Sequence, residues 1–204
     1  MPYLFLVLFA LSGLCTFAQQ QVKMTWHNAA FMLDSSYILN DTLQFQISQF
    51  KFYVQGEPQN GSNAIHLIDA SDQETWRWED HSTTQQVGIR AELQTAGDFT
   101  GALDPINGMY WAWNTGFISV KCVGEFSNLK TGLTQKFEFH LGGYKAPFAC
   151  IMAIPGSGKN LTCDLHTWLR SILETPALGW KIMQPSKASL TLFELFTSAL
   201  SYAK

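Results

Sequence analysis

The apolar positions of this 204-residue chain recur mostly at every second residue, the period of a strand with one buried face. In TLQFQISQFKFYV, Leu43, Phe45 and Ile47 alternate in odd register, and Phe50, Phe52 and Val54 continue in even register. The flip between Ile47 and Phe50 predicts a β-bulge, or a bend that carries the strand to another sheet. IHLID at 65–69 reads as a short strand, and VGIRAEL holds Val87, Ile89, Ala91 and Leu93 in phase as another. FISVKCV (117–123) and KFEFHL (136–141) follow, joined by the turn-rich GEFSNLKTGLTQ. ACIMAI and LTCDL flank Pro155-Gly156-Ser157-Gly158 and read as a hairpin.

Near the C-terminus the period changes. Pro185-Ser186 reads as a helix start with Ser186 as N-cap. Leu192, Phe193, Leu195, Phe196, Ala199 and Leu200 then share one face at helical spacing. Many short strands closed by one helix predict an all-β fold: an antiparallel β-sandwich with a C-terminal α-helix, in a single domain over residues 19–204.

Residues 1–18, MPYLFLVLFALSGLCTFA, carry no charged side chain and end in Thr16-Phe17-Ala18. Small residues at those positions are what signal peptidase cuts behind, so the segment reads as a signal peptide with Gln19 as the mature start. The expected location is periplasmic, or secreted to the outer surface. No later apolar run reaches membrane length. The net charge is −3 and no Lys/Arg cluster occurs, which argues against a nucleic-acid partner. Three cysteines remain after the leader: Cys122, Cys150 and Cys163. A two-residue Gly156-Ser157 loop brings Cys150 opposite Cys163 as a candidate disulfide, with Cys122 free; a four-residue loop puts Leu165 there instead.

The motifs of local chemistry are absent. IPGSGKN (154–160) lacks the first glycine and the hydroxyl residue of a phosphate loop. There is no G-x-S-x-G, H-E-x-x-H or C-x-x-C, and the five histidines (His27, His66, His81, His140, His166) are scattered. Nothing in this reads as an enzyme, and no catalytic residue is assigned. His66 and His140 each lie inside a strand between apolar neighbours, so each imidazole faces away from its own apolar pair. They are either half-exposed surface groups or a two-histidine site for copper or zinc. In LDPINGMYWAWNTGF, Asp104-Pro105 opens a turn, Asn107-Gly108 closes it with positive φ, and Trp111 and Trp113 follow on one face. A core anchor, a sugar platform and an oxidisable pair beside a metal all fit that pattern.

Four segments then carry a likeness: LQFQISQFKFYV leading to IHLID, GALDPINGMYWAWNTGF, FEFHLGGY, and IMQPSKA. On these the chain resembles the MbnP-like family of exported bacterial copper-binding proteins. The resemblance implies a non-enzymatic β-sandwich whose copper is held by histidines, here His66 and His140. It also implies a tryptophan oxidised to kynurenine by a partner di-haem, peroxidase-like enzyme, with Trp111 and Trp113 as the site-adjacent aromatics. The competing reading is a metal-free recognition module that binds carbohydrate or protein through surface aromatics. The metal reading requires the rings of His66 and His140 to meet across neighbouring strands. The recognition reading requires Trp76 and Trp78, or Trp111 and Trp113, to stand in solvent.

Overall fold

The computed structural model describes residues 19–202 apart from 27–28, 58–64, 80–83, 96, 98, 113 and 176–177. The leader and Trp113 therefore lie outside the described residues. In chain order the elements begin with β1 (Gln19–Trp26), β2 (Ala29–Ala30), β3 (Ser36–Asn40), β4 (Leu43–Gly56), β5 (Ile65–Asp69), β6 (Arg77–Glu79) and β7 (Gln85–Val87). After α1 (Ala91–Gln94) come β8 (Tyr110–Ala112), β9 (Gly116–Asn128), β10 (Thr134–Gly142), β11 (Met152–Ala153) and β12 (Asn160–Asp164). The chain ends with α2 (Leu165–Glu174), β13 (Lys181–Ile182), α3 (Lys187–Ser198) and β14 (Leu200–Tyr202).

Two sheets result. The first runs β14-β12-β1-β2 with β6 added on β1; the second runs β11-β7-β4-β9-β10-β13, with β3 and β5 on β4 and β8 on β9. The architecture is the expected β-rich sandwich, but the sheets are mixed: β1 pairs with β12, and β10 with β13, in parallel. Both parallel pairs join strands far apart in sequence, as parallel pairing requires a long connection. β4 is the spine of the second sheet. Its register against β9 shifts between Ile47 and Gln49, and Phe45, Ile47, Phe50, Phe52 and Val54 are all fully buried. The parity flip read from the sequence is thus a bulge that keeps one face inward.

Two expected elements differ. The VGIRAEL strand stops at Val87, because Gly88 takes φ +94° with Cys150 carbonyl oxygen packed where a Cβ would stand. A helical turn follows, and Val87, Ile89 and Leu93 are still buried. The hairpin around Pro155 does not form: β11 pairs with β7 in the second sheet, whereas β12 lies between β1 and β14 in the first. The intervening chain crosses between sheets, so the candidate Cys150–Cys163 pairing fails and the three described cysteines are free thiols. Proline at 155 cannot donate the first ladder bond of a two-residue hairpin, which removes the premise of that register.

Strand β12 instead feeds directly into α2, whose N-cap Asp164 accepts from the backbone of His166 and Thr167. Ser186 caps α3 as expected, through Ser189 N–H at 3.1 Å. That helix ends at Ser198, and Leu200–Tyr202 turns into an edge strand on β12. The main core includes the inner faces of both sheets together with Trp168, Phe193 and Phe196 of α2 and α3. A second, smaller core lies on the other face of the second sheet. Tyr53, Ile89, Leu93, Met109, Phe117 and Ile118 form it, with Ile65 and Leu67 packed against it.

Candidate functional site

His66 stands on β5 opposite Val54 of β4, which places it on the inner, main-core face. Its ring lies 5.4 Å from that of Trp78 with an interplanar angle of 31°. Trp78 is only 6% exposed and sits on β6 opposite Gln20 of β1, so this contact joins the two sheets at one corner. The Trp78 indole N–H has no hydrogen-bond partner among the described residues. The corner is pinned from outside. Trp76 Nε1 donates to the Asp69 carbonyl at 2.8 Å, and the Asp69 carboxylate pairs with Lys51 at 2.7 Å.

His140 stands on β10 opposite Lys121 of β9, Lys121 is opposite Lys51 of β4, and Lys51 is opposite Asp69 of β5. These four side chains form one cross-strand row on the outer face. His140 is buried; its Nε2 lies 3.2 Å from Glu138 Oε1 but out of hydrogen-bond alignment, and its Nδ1 has no partner among the described residues. Burial chiefly, then the Lys121 and Lys181 ammonium groups, hold its pKa below the usual histidine value, with Glu138 opposing.

The two histidines are therefore not brought together. They lie on opposite faces of one sheet, with β4 and β9 between their strands. Three interstrand steps span about 14 Å, well beyond what two ~2 Å metal–nitrogen bonds bridge. Alternation placed each imidazole correctly relative to its own neighbours. It could not reveal that Ile65 and Leu67 face the small second core while Phe139 and Leu141 face the main one. With the apolar pairs turned opposite ways, the imidazoles are too.

The aromatic block has a structural part. Asp104 caps the Ile106 N–H at 2.9 Å, and Gly108 closes the turn at φ +69°. Lys51 donates to the Asn107 carbonyl at 3.4 Å and Lys121 to the Gly108 carbonyl at 3.3 Å. The turn is docked on the cationic row, and Tyr110 and Trp111 behind it pack against the second core. Trp76 and Trp111 are half-buried and Trp78 is buried, so none of the described indoles named above presents an open platform to a sugar. Sequence reasoning missed Trp78 as the neighbour of His66; no pattern in the chain links β6 to β5.

The thiols add no site. Burial pushes the Cys150 thiol up to about 12 despite the Ser189 hydroxyl beside it, and raises those of Cys122 and Cys163 as well. Among the described residues, no group of three or more His, Cys, Asp and Glu side chains is placed to hold a metal ion. No described helix is long and apolar enough to cross a membrane.

The family model MbnP matches residues 18–172. No curated protein matches the chain. Among solved structures, MbnP from Methylosinus trichosporium is similar at 11% identity and a TM-score of 0.47, over 75% of this chain and 77% of that one.

Proposed function

The chain belongs to the MbnP family, and from that premise we propose that it is an exported, non-enzymatic copper-binding protein of the periplasm or outer surface. Its site centres on His66 and not on a His66–His140 pair. The observation that carries this is the contact between the His66 imidazole and the buried Trp78 indole. Neutral imidazole suits copper, and an indole in ring contact with that ligand is the described tryptophan best placed for oxidative modification by a di-haem partner. The surroundings of His140 point the other way. Lys121 and Lys181 impose positive potential there that Glu138 only partly offsets, which disfavours a cation. His66 instead faces Val54 across its strand pair and the Trp78 ring.

His66 alone does not make a tight site. The sequence also offers His27 and His81, which lie outside the described residues, as further imidazoles. The test is copper titration of the metal-free protein in competition with a chelating dye, using wild type and the alanine variants of His27, His66, His81 and His140. His66→Ala is expected to lose most of the affinity and His140→Ala to keep it. Loss in His140→Ala with full retention in His66→Ala would overturn the assignment.

A further inference from the structure

The outer-face row carries more donors than acceptors. Lys51 and Lys121 are directly opposed like charges, an arrangement that costs stability unless negative groups offset it. Asp69 answers Lys51 at 2.7 Å, but among the described residues no carboxylate lies within ion-pair distance of Lys121. Among the described residues its Nζ hydrogen bond is the 3.3 Å contact to the Gly108 carbonyl, one of the three an ammonium group can donate. Glu138, on the other side of the row, lies 3.6 Å from Lys181 Nζ and 3.2 Å from His140 Nε2.

The same place has a polar floor. Gly108 has no side chain, and even a Cβ there would stand 3.7 Å from Lys121 Nζ. His140, with 9% of its side chain exposed, lies beside Lys121, and its Nδ1 has no partner among the described residues. Lys181 reaches toward Glu138 from β13 with 72% of its side chain exposed.

We propose that this row binds a small oxyanion, a carboxylate or phosphate group, at the edge of the Asn107–Gly108 turn. Lys121 and Lys51 supply the ammonium donors and His140 the floor. Several oxygens on one anion can accept from two ammonium groups at once, which a neutral ligand cannot match. The site is on the opposite face from His66 and Trp78, so it stands independently of the copper reading.

The test is titration of metal-free protein with inorganic phosphate, and separately acetate, at constant ionic strength, followed by amide ¹H–¹⁵N spectra. Saturable shifts confined to residues 50–52, 106–109, 119–123 and 138–142 are expected from one probe or both, and His66→Ala should not alter them. Lys121→Gln should weaken binding about tenfold, the scale of one lost charge-assisted hydrogen bond, while Lys136→Gln should not. Shifts that fail to saturate, that scatter over other lysines, or that persist unchanged in a folded Lys121→Gln protein would overturn the proposal. The wild-type shift map decides the matter by itself if that variant does not fold.

Discussion

Gly143 lies so close to Pro185 that a Cβ on it would stand 2.8 Å from the proline Cγ. The contact seats the end of the F-H-L-G-G strand against the segment that starts α3. Gly143 also takes φ +105°, where a side chain is strained whatever the space. Gly143→Ala is expected to destabilise the protein by roughly 2–4 kcal/mol, combining backbone strain with overpacking. Urea unfolding would measure it. Adding Pro185→Ala should recover only the packing part, because the φ strain stays. Full recovery would show that the backbone conformation contributes nothing.

A second close fit ties the loop after β7 to β9. Gln94, 2% exposed, accepts from the Phe117 N–H at 2.9 Å and donates to the Ile89 carbonyl at 2.8 Å. Gln94→Leu keeps the volume but leaves both buried backbone groups unpaired, for a loss of about 2–4 kcal/mol. The same unfolding measurement applies, and a loss under about 0.5 kcal/mol, the range of an ordinary surface change, would refute the bridge.

Much of this fold could be read from residue order, and the failures share a cause. β4 was legible, bulge included, because its apolar parity is a local property. β5, β9, β10 and the Ser186 cap were legible for the same reason. What could not be read was which strands become neighbours. Cys150 and Cys163 flank one turn in sequence, yet Cys163 lies in the first sheet while Cys150 precedes β11 of the second, and β12 finds β1 across more than a hundred residues of chain. The candidate site suffered most, since it depends on which core each strand face meets. His66 and His140 have matching local patterns, and a second core under the 88–112 segment reverses the meaning of one of them.

The buried thiols yield a chemical prediction. Cys122, Cys150 and Cys163 are each 0% exposed and unpaired. Burial raises all three pKa values, so the reactive thiolate is scarce at neutral pH. Protein beginning at Gln19 should show no reaction with a thiol reagent while folded and three equivalents after denaturation. Non-reducing peptide mass spectrometry showing a Cys150–Cys163 link would contradict the strand pairing itself.

The last prediction concerns the Lys51–Asp69 pair, which fastens β5 to β4 at the corner carrying His66. Burial alone would raise the Asp69 carboxyl, but the hydrogen bond and charge of Lys51, with two hydrogen bonds from Ser71, outweigh it and leave the pKa below the usual value. A depressed folded-state pKa contributes stability above the unfolded value and loses it as pH falls through the folded one. Asp69→Asn keeps an oxygen for Ser71 but removes the charge and turns an amide NH2 in place of the acceptor toward Lys51. It should destabilise by about 1 kcal/mol at pH 7, a modest figure because the pair is partly solvent-screened. The gap between wild type and variant should close as pH drops below about 4, the unperturbed aspartate range. Denaturant midpoints collected from pH 7 to pH 3 supply the comparison. A gap that stays constant across that range would mean the carboxylate charge does not hold the corner, and that Trp76 and Thr75, which also bond to Asp69, hold it instead.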